Sequence, residues 1–310
     1  MAMIRPAPFR QIIGTAFAVL AVALITAAPA RAVDDAFVRG LLWEVTPPGG
    51  GQPSHLFGTM HITDPRVVAL ADDIAPRVQQ AAVLALEIDM SSGAQAEIAM
   101  GMIGGDGPGI DALVDADTYA ALEAAVGEAG VPAFVLPQLR PWAVTVLVSL
   151  PQAELARIQT GAEPLDGLLN DLAATADVPV VGLETPAEQL AVLNAIDLDL
   201  QVDQLILALN DRAEVDRVFE TLTQLYLDED LAGFMVWLED QMAGEDPELR
   251  AAFVDGLLTQ RNRLMVERME PLLEAGNAMV AVGAMHLAGD DGILAALDAL
   301  GYGLQPVPLR

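Results

Sequence analysis

The chain has no cysteine and no lysine; all 15 of its basic residues are arginine. Without cysteine there is no disulfide framework, thiolate zinc site, cysteine nucleophile or iron–sulfur cluster. Without lysine there is no Schiff-base chemistry, no lysine-activated nucleophile and no P-loop lysine. Basic charge is scarce overall, with 15 Lys+Arg against 44 Asp+Glu and a formal net charge of −29. A nucleic-acid binder is therefore excluded, because neutralising phosphates needs a basic stripe. So strong an excess of acid favours a soluble, self-repelling surface. Disorder is excluded by the 53% hydrophobic content, ample for a core. The chain also lacks H-E-x-x-H, G-x-S-x-G, Walker A and G-x-G-x-x-G motifs.

The amino-terminal 32 residues read as a signal peptide. Arg5 and Arg10 form a positive start, Ile12 to Ala28 is uncharged and mostly apolar, and Ala30-Arg31-Ala32 places small residues where a signal peptidase reads. The apolar stretch is shorter than the about 20 residues a membrane span needs. An exported protein is expected, periplasmic or secreted, with no stable membrane insertion after cleavage. Losing Arg5, Arg10 and Arg31 leaves the mature chain, residues 33–310, still more acidic. That length suffices to bury about three quarters of the unfolded surface in one core.

Apolar runs bounded by turn residues predict strands at 41–46, 55–62, 83–89, 178–185, 278–287 and 302–308. Asp64-Pro65 supplies an N-cap and a proline at the first helical position, opening a helix to about Gln80. Further helices are predicted at 92–102, 117–129, 140–157, 164–176, 186–195, 200–226, 230–242, 247–275 and 291–300. A unit of strand, G-x-x-H, helix and strand occurs twice, at 55–89 and 278–308. The expected fold is α/β, with a mixed β-sheet core built from both chain ends and Val178–Thr185. Between them lies a large helical insertion, about 91–177 and 186–275.

Two of the three histidines share a setting: Gly58-Thr59-Met60-His61 and Gly283-Ala284-Met285-His286. Glycine lets the backbone run close to a neighbour. Each imidazole then projects from the carboxyl end of a strand, the edge where open α/β sheets bind ligands. The plainer alternative is a pair of satisfied core or capping histidines. His55, which starts a strand after a loop, is expected to be structural or exposed. Glu87 and Glu184 each close a buried apolar run, a costly place for a carboxylate unless it is paired, ligated or wetted. They could equally face water, or cap the helix that Thr185-Pro186 opens. Asp89 is expected on the same strand face as Glu87. Arg261 and Asn262 sit late in the helix before the second G-x-x-H strand. A salt-bridged solvent face would account for Arg261; stabilising negative charge at a reacting carbonyl would be its functional role. Arg140-Pro141-Trp142 reads as packing at a helix start. Two imidazoles and a carboxylate can hold a divalent metal with an open position, and a second carboxylate can take a proton, so the set suits hydrolysis.

In order along the chain, L-W-E-V, F-G-T-M-H (57–61), L-E-I-D (86–89), R-P-W (140–142), G-L-E-T-P-x-E-Q (182–189), R-N-x-x-M (261–265), V-G-A-M-H-L-x-G (282–289) and L-x-x-x-G-Y (297–302) resemble the TraB/GumN family, which includes the Tiki proteins. The resemblance implies a Tiki-like fold, similar to the erythromycin esterase and ChaN group. It also implies metal-dependent peptidase activity, with His61, His286 and Glu87 as the essential residues. The family's G-x-D differs here, since Gly161 and Asp166 are separated by Ala-Glu-Pro-Leu, so no role is carried over to Asp166. The expectation is a metal-dependent hydrolase of a peptide or small-molecule substrate. A divalent Mn, Co or Zn ion would sit on His61, His286 and Glu87, with Glu184 and Arg261 catalytic and Asn262 at the substrate. A metal-free esterase-like hydrolase and a haem- or small-ligand-binding protein are the alternatives. Oligomeric state is not legible.

Overall fold

In the computed structural model, residues 37–89, 92–104, 107–241 and 254–309 are described. Residues 1–32, read above as a signal peptide, and residues 247–253 of the helix predicted at 247–275 lie outside them. Six strands form one sheet in the order β4-β3-β5-β2-β1-β6. They are β1 Leu42–Thr46, β2 Ser54–Thr59, β3 Val83–Ile88, β4 Val180–Glu184, β5 Ala278–Gly283 and β6 Gly303–Pro306. β4/β3, β3/β5 and β5/β2 pair parallel; β1 pairs antiparallel with both β2 and β6. The fold is thus α/β, with a mixed sheet drawn from both ends of the chain and helices filling the sequence between.

Burial follows position in the sheet. β5 (AMVAVG) is buried at every residue, and β3 (VLALEI) at all but its first. That is the pattern of parallel strands covered on both faces. The edge strands differ: β4 leaves Val181 37% exposed, and β6 is mostly exposed and ends in Pro306, as suits a strand with one unpaired side. β5 comes from the carboxyl-terminal end of the chain yet lies between two amino-terminal strands. Its register, Gly58 opposite Val282 and Thr59 opposite Gly283, sets the two G-x-x-H segments side by side. Gly58 is needed there, because a Cβ would lie 2.9 Å from Leu287 Cδ1 and 3.0 Å from Ala284 Cα. Tyr226, fully buried, donates its hydroxyl to the Gly58 carbonyl at 2.8 Å.

Several elements are shorter than the sequence predicts. The stretch expected as one helix at 140–157 is two, Pro141–Val148 and Gln152–Gln159. Pro151 at the second N-cap biases the residue before it away from the helical region. The stretch at 200–226 divides into Leu198–Asn210 and Arg212–Leu227. Asp211 adopts φ −130°, ψ 61° there and caps the second helix through Glu214 N–H. The helix from Pro65 likewise breaks, into Pro65–Val68 and Ala71–Gln80. β2 and β5 stop at Thr59 and Gly283, short of Ile62 and Leu287, so both histidines stand in the turns beyond the strands. β3 ends at Ile88, which puts Asp89 past the strand face it was expected to share with Glu87. Trp142 packs into the core, 4% exposed, beside Pro141 at the first helical position. Among the described residues, no helix is long and apolar enough to cross a membrane.

Candidate functional site

The carboxyl ends of β2, β3, β4 and β5 meet at one edge of the sheet. They deliver His61, Glu87, Glu184 and His286, in that chain order. Glu87 is the hub. Its Oε1 accepts the Gly283 N–H at 2.7 Å, so the second motif's glycine contributes a backbone donor as well as space. Its Oε2 accepts from Arg261 Nη2 at 2.9 Å and Gln189 Nε2 at 3.2 Å. Both imidazoles turn their Nε2 atoms to the remaining side of Oε1, His61 at 3.8 Å and His286 at 3.6 Å.

Each imidazole is held from behind. His61 Nδ1 lies 2.7 Å from Asp166 Oδ2; an ionised carboxylate only accepts, so Nδ1 carries the proton. Thr59 donates its hydroxyl to the other oxygen of Asp166, also at 2.7 Å. Asp166 sits in the first turn of the helix Leu165–Thr175, where the amino-terminal dipole favours an anion. His286 Nδ1 lies 2.6 Å from Asn262 Oδ1, while Asn262 Nδ2 donates to the Asp291 carbonyl at 2.8 Å. The second bond fixes which way the amide faces, and so puts the His286 proton on Nδ1.

Charge separates the two histidines. Burial pushes His286 down, with Arg261 adding to it against the opposing pull of Glu87, to about 3; the ring is neutral and Nε2 carries a lone pair. Burial also opposes protonation of His61, but Asp166 and Glu87 outweigh it and hold that ring well above the usual imidazole value. For Glu87, burial acts upward and is overcome by the facing His286, Arg261 and His61, leaving it well below the usual carboxylate range. The consequence is an unusual pair of neighbours. Glu87 Oε1 and His286 Nε2 are both acceptors, both buried, 3.6 Å apart, and His286 Nε2 has no hydrogen-bond partner. Oε1 has the Gly283 N–H, but a buried acceptor without any donor is costly, so His286 Nε2 favours a cation or a donor beside it.

A divalent ion meets that description chemically: two imidazole nitrogens and a carboxylate oxygen, with both Nδ1 atoms anchored as metal-ligating histidines require. The spacing is slightly wide. Ligand atoms on a tetrahedral ion lie about 3.4 Å apart, a few tenths less than the two separations here. Among the described residues, no group of three His, Cys, Asp or Glu side chains is placed to hold a metal ion as it stands. The donor types suit an ion, but His61 would have to give up its Nε2 proton and the side chains would have to move together to hold one.

The other expected residues lie behind this front. Arg261 is 9% exposed, and its guanidinium grips Glu184 by two bonds, Nε to Oε1 at 2.8 Å and Nη2 to Oε2 at 2.6 Å, while Nη2 also reaches Glu87. It is a buried neutraliser, not part of a solvated salt-bridged face. Glu184, 4% exposed, takes Gln189 at 3.0 Å besides Arg261, which leaves it no open side. Asn262, 3% exposed, is spent on His286 and Asp291 and does not border the cleft. His55 stands opposite Glu44 at the far end of β2. Asp166, Gln189 and Thr59 are site residues to which sequence reasoning assigned no role. Gln189 lies within the G-L-E-T-P-x-E-Q segment, but nothing local marks its amide as a bridge between two glutamates.

In front of His61 and Glu87 lies a cleft of about 420 Å³. In open α/β sheets the crevice at the carboxyl ends of parallel strands is where ligands bind, and the polar groups here converge at that place. The chain belongs to the TraB/PrgY/gumN family, whose model matches residues 41–306. No curated protein and no solved structure matches it.

Proposed function

We propose that the protein is an exported metal-dependent hydrolase that cleaves a peptide or another amide bond. The observation that carries this reading is the unpartnered, buried Nε2 of His286, which lies 3.6 Å from Glu87 Oε1 on the side that His61 Nε2 also faces. Export rests on the amino-terminal segment, and peptidase chemistry on the likeness to the Tiki proteins. His61, His286 and Glu87 would hold the ion, of Mn, Co or Zn type. When bound, such an ion supplies Lewis acidity, polarising a carbonyl oxygen and making water more acidic.

The protein's own part is orientation and proton handling. Asp166 and Asn262 fix the two rings with Nε2 forward. Arg261, Gln189 and the Gly283 N–H fix Glu87 and keep it ionised, so that Oε1 serves as third ligand or as proton acceptor. Glu184 acts through Arg261 as a positioning residue. A second reading, metal-free hydrolysis, draws on the His61–Asp166 pair at 2.7 Å, since the His61 side chain is 38% exposed to the cleft. That pair could move a proton to or from a substrate without an ion.

The deciding experiment is metal content per chain in the purified protein, with His61→Ala and His286→Ala alongside and folding checked by circular dichroism. About one ion per chain, lost in both folded variants, supports the first reading. No ion in the wild type, and none taken up at micromolar Mn, Co or Zn, overturns it in favour of the metal-free reading.

A further inference from the structure

The cleft divides by origin. Its floor is the sheet edge, with Thr59, His61 and Glu87, while the helical insertion adds Asp166 and Gln189 close to that edge and aliphatic and aromatic side chains beyond them. Ile98, Val146 and Ile158 stand on three helices, Leu150 in the bend between the last two of them, and Leu222 and Phe234 on two helices further along the chain. None of the six can form a hydrogen bond through its side chain. Ile158 is 45% exposed, although it lies in a helix that buries Leu155 one turn earlier. An isoleucine left open on the wall of a polar-floored cleft gains burial only from what enters. The volume, about 420 Å³, falls in the range of small-molecule and short-peptide sites.

Charge narrows the occupant further. Among the described residues that line the cleft, Glu87, Asp166 and His61 lie at or close to the sheet edge, none of the aliphatic wall residues is charged, and the whole chain carries −29. An anionic side chain seated on the apolar wall would lose its hydration with no cation beside it, within a field of its own sign. Resting on the hydrolase reading above, we infer that the substrate is a neutral peptide with a bulky aliphatic or aromatic side chain next to the scissile amide. That side chain is seated against Val146, Leu150 and Ile158, and an acidic residue at the same position is rejected. The helical insertion selects; the sheet edge reacts.

The test uses capped, uncharged peptides that differ at one position, Leu, Phe, Ala or Asp. Binding to chelator-treated protein is measured by NMR titration, and cleavage by the Mn-, Co- or Zn-loaded protein in parallel. The Leu and Phe peptides are expected to bind at least about tenfold more tightly than the Ala peptide, and the Asp peptide more weakly still. Ile158→Asp, at an exposed position, and Val146→Thr, which keeps the shape, should each erase most of that preference, the Leu and Phe peptides falling to near the affinity of the Ala peptide. Equal binding of all four peptides to folded wild type, or a preference untouched by both variants, overturns the inference. Cleavage without apolar preference would likewise sink it while leaving the hydrolase reading intact. Selective binding with no cleavage under any metal would sink the hydrolase reading and leave the cleft's preference standing.

Discussion

Replacing Arg261 by methionine removes the cation paired with two buried carboxylates, Glu184 and Glu87. The guanidinium contributes two bonds to Glu184 and one to Glu87, and the acids are 4% and 8% exposed. Methionine fills much of the volume, so the loss is mainly electrostatic. Breaking a buried ion pair from one side costs about 3–5 kcal/mol, because the remaining charge is stranded. Against a total stability of about 5–15 kcal/mol for a natural domain, that is a large fraction. At about 2–4 °C per kcal/mol for a domain of this size, the midpoint should fall by roughly 6–20 °C. The effect should depend on pH in a defined direction. Glu87 has a depressed folded pKa, so its contribution is present above the unfolded carboxyl value and is lost as pH falls through the folded one. Arg261→Met removes that contribution, and the gap between wild type and variant should narrow below about pH 4.5. Adding Glu184→Gln should return about 1–2 kcal/mol, a positive coupling between contacting residues. Urea unfolding of metal-free wild type, Arg261→Met, Glu184→Gln and the double variant, at pH 7 and at about pH 3, reads both the pH dependence and the coupling. A loss below about 1 kcal/mol at pH 7, or a double variant no better than additivity, would show that water or rearrangement already serves the two acids, and that Arg261 does not hold the site together.

Further outcomes are expected. Glu87→Gln separates the two roles open to that side chain: as a ligand its loss weakens metal binding strongly, whereas as a proton acceptor its loss leaves the ion bound and abolishes turnover, and metal titration beside an activity assay distinguishes them. Asp166→Asn keeps the shape but removes the charge behind His61, and metal affinity should drop about 10–100-fold, measured by competition with a chromogenic chelator; an unchanged affinity would remove Asp166 from the site. Glu154, 1% exposed, accepts the Thr63 N–H at 2.6 Å beside the His61 turn, and Arg157 Nε reaches Thr63 at 3.1 Å. Glu154→Ala should therefore cost about 2–4 kcal/mol in thermal or urea unfolding; a cost within error would mean the turn holds itself. Glu188 is pulled down to about 2 by Arg268 and by the Thr185 cap, so its stabilisation is present above its unfolded value near 4.5 and fades as pH falls toward about 2. At 37% exposure it is worth no more than about 1 kcal/mol, and the difference between wild type and Glu188→Gln should shrink between pH 5 and pH 2.

Much of the front of the site is legible in local sequence. The all-apolar run of β5 announces a strand covered on both faces, and the two G-x-x-H segments announce turns at strand ends. A carboxylate ending a buried run, as Glu87 and Glu184 do, is conspicuous because burial without a partner is so costly. The excess of acid, the absence of cysteine and lysine, and the ordered series of short motifs likewise need no coordinates. What the sequence does not carry is the identity of partners. Periodicity tells which face of an element is buried, not what it is buried against. Arg261 and Glu87 are 174 positions apart, His61 and Asp166 105, and Gln189 and Glu87 102. They meet only because β5 inserts between β3 and β2 and the insertion helices close over that edge. The same closure makes Arg261 a buried neutraliser instead of a solvent-facing cation, turns Asn262 toward His286, and gives Asp166 its place behind His61. It also decides the breaks before Pro151 and at Asp211, where capping prevailed over a continuous apolar period. Local chemistry chose the reactive groups; long-range strand pairing decided which of them face one another and which stand behind.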